Sequence, residues 1–445
     1  MILCTLTSTR YSAAIFITGL LLVYAAVPLT IESLALEQNY WFQLALMAIV
    51  AGVSIWIGFS IRLVDRQFDE LAWRIRLDVR YLHMFVWAAF AVFVVVTVST
   101  APAIPIYSAI FGEHTAEQLD AQRGAFLKTR EGWQAALLYL STLFTGTLLP
   151  YSMARLFLDK SERRWWAMAG FIGYAELFLQ KALFIQVVAP LFYLVIQRKI
   201  WNFRGLIVLI LACVGILYLN TTLARGVMPP SDLDKIVEVR KQAEEEKRER
   251  AEAEQVGTGI NLLPSRFFSA KFVPLSAKEH IVWRVLSVPI FTAADALRMF
   301  DDKFGGQFLL GATSTAIALL TGVPRIAYEI NLFGYQWGYN EIAASNSVYF
   351  TEAFVNFGWL GVVIFSLAVG QAFRIFWKSR DDALKSMWPL FAFNIAQSGL
   401  IGSMLSNGYA LLFLIGLFVS FESTRRSQEL SRSPEPDQPL SAPAE

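Results

Sequence analysis

Residues 42–61 read FQLALMAIVAGVSIWIGFSI, and residues 62–80 read RLVDRQFDELAWRIRLDVR. The first stretch holds twenty residues without a charge, and the second holds five arginines: Arg62, Arg66, Arg74, Arg76 and Arg80. Twenty residues at ~1.5 Å each make a helix of about 30 Å, the thickness of the hydrocarbon layer. An arginine-rich loop directly after such a helix marks the cytoplasmic side of a membrane. This reading decides the fold class: a helix crosses the bilayer and is held there by a basic loop.

Working outward, similar apolar blocks recur at 11–30, 82–104, 133–158, 166–180, 182–197, 205–224, 347–377, 386–405 and 408–424. The pair 166–180 and 182–197 is read as two short spans, because one helix of that combined length overshoots a bilayer. The first block is too long for a signal-peptide core, so it is read as a retained helix. Composition agrees: 17% of residues are charged and 56% hydrophobic, against about 25% charged in soluble domains. The mean hydropathy is +0.47. The expectation is an all-α, polytopic transmembrane bundle of about ten spans. The moderately apolar stretch 281–323 carries Arg284, Asp295, Arg298, Asp301, Asp302 and Lys303. It forms either an amphipathic pair outside or a membrane hairpin, which would raise the count to twelve.

Orientation follows from the short loops. Lys160, Arg163 and Arg164, then Arg198, Lys199 and Arg204, then Lys378, Arg380 and Lys385, then Arg425 and Arg426, all fall on the side of Arg62 if both termini are cytoplasmic. Four regions result: an N-terminal bundle 1–224 with an outside loop 105–132, an outside segment 225–346, a C-terminal bundle 347–424 and a cytoplasmic tail 425–445. Ser231 caps a charged run, Asp232 to Glu254, whose Lys241/Glu245 and Glu246/Arg250 pairs have helical spacing. That run reads as a solvated helix. The tail, rich in Pro, Ser and acids, reads as disordered.

Net charge is +2, which gives no reason to invoke nucleic acid, and Cys4 and Cys213 supply neither a disulfide framework nor a metal cluster. His83, His114 and His280 stand alone, so no metal site is expected. Asp232-Leu-Asp234 has the form of a metal-holding Asp-x-Asp but begins a charged helix, where acids suit the dipole. Neither a phosphate-binding loop nor a nucleophile elbow occurs. Outside cations are the better candidates. Arg284 and Arg325 lie in apolar sequence, where a charge is costly unless paired, and guanidinium forks suit phosphate oxygens. Arg123 lies in the first outside loop, and Lys181 sits at the outer turn between short spans, near Glu176. Tyr349, Glu352 and Asn356 share one helical face where a span enters from outside, which places a carboxylate within reach of a substrate hydroxyl.

With those segments in hand, the chain resembles oligosaccharide repeat-unit polymerases of the Wzy (O-antigen polymerase) type over about residues 80–420. The resemblance rests on Arg123-Gly124, the turn Gln180-Lys181-Ala182, the large outside segment, and Asn-x-x-x-Phe-x-Glu-Ala-x-x-Asn-Phe-Gly-x-x-Gly at Asn346–Gly361. Arg123 to Gly132 and Arg325 to Gly334 both read Arg-x8-Gly, a shorter spacing than the paired motifs of that family. The resemblance implies a glycosyltransferase C-like architecture in a bacterial inner membrane, no metal and no cofactor. It implies undecaprenyl-diphosphate-linked glycans and membrane lipid as partners, and a chain-length regulator protein as a further one.

The chemistry so implied is attack by a hydroxyl of one lipid-linked unit on the anomeric carbon of another, with diphosphate leaving. Arg123, Arg284, Arg325 and Lys181 are expected to hold the diphosphate. Glu352 or His280 would take the proton, supported by Tyr349 and Asn356. The three arginines are expected to converge on Glu352. A ligase using the same donor, or a transporter of related glycans, is the alternative; no internal repeat is visible in the chain.

Overall fold

The computed structural model describes residues 8–31, 40–69, 75–111, 116–128, 130–177, 179, 182–200, 215, 267–272, 274, 277–338 and 344–422. Lys181, the charged run 232–254, the tail 425–445 and all but residue 215 of the 205–224 block lie outside the described residues. What is described is mostly helical. Five helices are long and apolar enough to cross a membrane: Thr9–Thr30, Tyr40–Ser60, Val79–Ser99, Lys278–Phe304 and Tyr349–Lys378. A further helical run goes from Gly132 to Leu158, and 166–197 divides into Arg164–Leu177 and Ala182–Ile196.

The central pair is Tyr40–Ser60 against Tyr349–Lys378. Two glycines let their backbones approach. A Cβ on Gly58 would lie 2.3 Å from the Leu367 carbonyl oxygen, and one on Gly370 would lie 2.3 Å from that of Ile55. Lipid tails offer no hydrophobic drive for helix pairing, so close van der Waals packing at small residues supplies it. The same helix then caps its neighbour. Gln371 Nε2 donates to the carbonyls of Gly58 and Ile61, and Arg374 donates to that of Phe59 at 2.6 Å. Carbonyls left open at a helix C-terminus favour such cations and donors.

Arg374 also forks onto Asp65, with both bonds at 2.5 Å, and Lys378 reaches Asp65 at 3.4 Å. Nearby, Arg155 pairs with Asp381 at 3.0 Å and Lys199 with Asp382 at 3.1 Å. The loops that the sequence assigns to one side are thus joined to one another by ion pairs.

Two expectations are corrected. The block 347–377 is not one straight span. Gly358, at φ 63° and ψ −155°, breaks the helix Tyr349–Lys378. Tyr349 and Ser366 hydroxyls meet at 2.9 Å although 17 residues apart, whereas a straight helix would separate those residues by about 25 Å. The chain therefore folds back at Gly358. The block 386–405 is also broken: helices Trp388–Gln397 and Leu400–Leu405 flank an extended Ser398-Gly399. The described fold is mostly helical, as an all-α bundle requires, with one short parallel pair of strands, Ile75–Asp78 with Val419–Glu422. Those last residues end the block read as the final span. The 281–323 stretch contains the long helix Lys278–Phe304 followed by Thr315–Thr321. Seven residues reach only ~10 Å, about a third of the hydrocarbon layer.

Candidate functional site

Glu352, on the arm that folds back at Gly358, meets the second helix break. A Cβ on Gly399 would lie 1.6 Å from Glu352 Oε2, so the carboxylate occupies the space that any other residue would fill. Leu400 N–H faces the carboxylate from the following helix, yet Oε2 is buried without a sound hydrogen bond. The other oxygen, Oε1, accepts from Thr313 Oγ1 at 3.3 Å.

Asn356 sets this geometry. Folding back at Gly358 leaves carbonyls without helical partners, and the 309–313 loop supplies them. Leu309 N–H donates to the Val355 carbonyl at 3.1 Å and Leu310 N–H to that of Asn356 at 3.0 Å. The buried Asn356 side chain accepts from Gly311 N–H at 2.9 Å and donates to Thr313 Oγ1 at 2.9 Å. Irregular backbone inside a membrane protein persists only where such partners, or a lined cavity, satisfy it. Both conditions hold here.

Glu352 lines a cavity of about 370 Å³ whose other walls are mostly amides and hydroxyls: Gln186, Asn346, Asn394, Gln397 and Asn407, with Thr313, Ser345, Ser347, Ser398 and Ser406. Its charged lining residues are Glu352 and Glu329, both acidic. The Ser345 N–H donates to the Glu329 carbonyl at 3.0 Å, fixing the start of the helix Tyr328–Trp337 beside the cavity. Gln186 Oε1 is, like Glu352 Oε2, a buried acceptor without a donor. Buried acceptors are nearly always satisfied in folded proteins, so two on one cavity mark a place that receives hydroxyl or amide donors.

A second cavity of about 510 Å³ adjoins it and shares Ser345, Asn346 and Gln397. Here the charged lining residue is Arg284, set among Tyr24, Phe333, Gln336 and Trp337. Among the described residues, the charged lining of one cavity is therefore acidic and that of the next cationic, with three polar residues between them.

The sequence candidates separate accordingly. Glu352 and Asn356 belong to the first site, and Arg284 lines the second cavity with its side chain exposed. Tyr349 is fully buried and spends its hydroxyl on Ser366, holding the fold-back together. Arg123, on the helix Ala116–Leu127, the exposed Arg325 and the exposed His280 line neither cavity. Lys181 lies outside the described residues. Among those described, no group of three or more His, Cys, Asp or Glu side chains gathers. Sequence reasoning missed Glu329, Gln186, Asn394, Gln397 and Asn407. The signal was available: Gln186, Asn394 and Gln397 are amides inside apolar runs, where an unpaired polar group is costly.

No protein family, no curated protein and no solved structure matches the chain.

Proposed function

We propose that this chain is a membrane-embedded glycosyltransferase that joins lipid-linked oligosaccharide units, the activity its resemblance to repeat-unit polymerases implies. The observation that carries the reading is the amide- and hydroxyl-lined cavity ending on Glu352, with unpartnered acceptors on Glu352 and Gln186. Such a lining suits a polyhydroxylated ligand, because each sugar hydroxyl both donates and accepts. In this reading the bundle has about ten spans of glycosyltransferase C type in a bacterial inner membrane, with both termini cytoplasmic and the cavity on the outer face.

The reaction balances simply. A hydroxyl of the incoming unit attacks the anomeric carbon, and its proton passes to the Glu352 carboxylate. The bond from that carbon to the diphosphate oxygen breaks, and the diphosphate leaves with the electron pair. A charge-assisted contact from Arg284 would favour the departing anion. Purified protein in detergent, supplied with lipid-linked repeat units, should build ladders, and Glu352→Gln should lower the rate by 10²-fold or more. Ladders at the wild-type rate from Glu352→Gln would remove Glu352 from the chemistry. In a deletion strain, single repeats should accumulate; full-length polymer retained on the lipid would indicate the ligase instead.

A second reading has a specific observation in its favour. Two broken helices meeting at a polar site, as at Gly358 and Ser398-Gly399, are a construction that transporters use for substrate binding. Proteoliposomes separate the two: net movement of a lipid-linked glycan without any new linkage would favour transport.

A further inference from the structure

The adjoining cavities differ in charge. We infer that they are two halves of one substrate track divided by charge, with Asn346 and Gln397 as positioning residues at the boundary. The acidic half would take the uncharged, hydroxyl-rich end of the attacking unit. The cationic half would take the diphosphate-bearing end of its partner. This inference rests on the proposed glycosyl transfer and adds the direction in which the substrates lie.

Three observations carry it. Among the described residues, the charged side chains that line the first cavity are Glu329 and Glu352, so a diphosphate entering there meets like charge. Gln186 Oε1 is a buried acceptor without a partner, and Glu352 Oε2 has only the Leu400 N–H facing its carboxylate; sugar hydroxyls supply donors whereas ionised phosphate has none. The second cavity offers the opposite set. Arg284 is its charged lining residue among those described, and the shared Asn346 and Gln397 add side-chain amides, with Trp337 and Tyr24 also in its lining. Asn346 and Gln397 border both cavities, so they touch the substrates on either side of the bond being exchanged. Their amides are suited to this place because each can donate to one ligand and accept from the other.

The test measures binding to the full-length protein in detergent with two probes. One is inorganic pyrophosphate; the other is the neutral oligosaccharide released by mild acid from the host's lipid-linked pool. Arg284→Ala should weaken pyrophosphate about tenfold and leave the oligosaccharide within twofold. Gln186→Ala should do the reverse, and removing an unpartnered acceptor should not lower the thermal midpoint, which keeps folding out of the comparison. Asn346→Ala and Gln397→Ala should change KM little and lower kcat at least tenfold, because they align two bound substrates. If Arg284→Ala and Gln186→Ala act alike on both probes, the division by charge is wrong while the functional reading stands. Full kcat in both amide variants would remove the positioning role. If neither probe binds the wild-type protein, the functional reading falls, and this inference with it.

Discussion

Glu352 and Gly399 form a fitted pair, and the fit yields a residue-scale test. Gly399 has an ordinary φ of −63°, so an alanine there meets no backbone strain; its only fault is a methyl group 1.6 Å from Glu352 Oε2. Gly399→Ala should therefore push the carboxylate aside and cost about 10²-fold in activity, since misplacement by ~1 Å is worth that much. Gly19→Ala, with nothing within 4 Å of the added carbon and a place outside both cavities, should behave as wild type in the same assay. Equal activity from both variants would mean that the position of Glu352 does not matter to the reaction. At this scale the sequence was partly legible. An acid entering an apolar run stands out because it is costly there, and Glu352 was read on that ground. Arginines do not sort themselves so easily. Arg123, Arg284 and Arg325 look equivalent along the chain, yet of the three it is Arg284 that lines one of these two cavities, because the fold-back beside them leaves no mark on any arginine.

Elements show why that fold-back escaped reading. Apolar length counts residues and cannot see a reversal, and 347–377 has the hydropathy of one span. The mark lies in a single residue: Gly358 adopts φ 63° and ψ −155° and would place a Cβ 2.8 Å from the Phe308 ring. That region of backbone space is essentially confined to glycine. Gly358→Ala should cost at least ~1–3 kcal/mol from backbone strain alone, seen as a lower unfolding midpoint in detergent. Tyr349→Phe, which removes only the bond to Ser366, should cost about 1 kcal/mol. A Gly358→Ala protein as stable as wild type would mean that the helix is straight. The cap between Tyr40–Ser60 and Tyr349–Lys378 makes a pH-dependent prediction. The Arg374 hydrogen bonds hold the Asp65 carboxyl below its usual range, against the opposing effect of burial. A lowered folded value means that the unfolded chain binds more protons, so stability is full above the ordinary Asp value of about 3.9 and is lost as pH falls through the folded value. Asp65→Asn leaves Arg374 buried with its partner neutralised and should cost ~3–5 kcal/mol at neutral pH. The gap in midpoint between wild type and variant should be constant above about pH 5 and shrink below about pH 4. A gap that does not shrink in acid would mean that Asp65 is not the group responsible.

At the scale of the whole molecule, one helix measures the distance between two differently charged ends. From Gly358 to Lys378 it runs 20 residues, about 30 Å, or one hydrocarbon thickness. At its Lys378 end lie Asp65, Arg374, Arg155, Asp381 and the pair of Lys199 with Asp382. The parallel strands place Ile75–Asp78 beside Val419–Glu422 there too. At the Gly358 end lie Glu352 and the two cavities. The grouping of the basic loops was legible because charge in short loops is set by insertion and survives any detail of packing. Their common end should therefore be cytoplasmic, with the cavities facing outward, where a lipid-linked glycan polymer would be assembled. Single cysteines test this in a background where Cys4 and Cys213 are serine. Glu162→Cys sits in an exposed turn of the basic end, and Thr321→Cys is exposed on the short helix Thr315–Thr321 that follows the Thr313 loop of the cavity. A membrane-impermeant maleimide added to intact spheroplasts should label position 321 and spare position 162 until the cells are lysed. Labelling of position 162 alone would invert the molecule and place the Glu352 cavity on the cytoplasmic side, away from any outer-face polymerisation. Labelling of both would mean that these two loops share a side, which a helix of this length between the two ends does not allow.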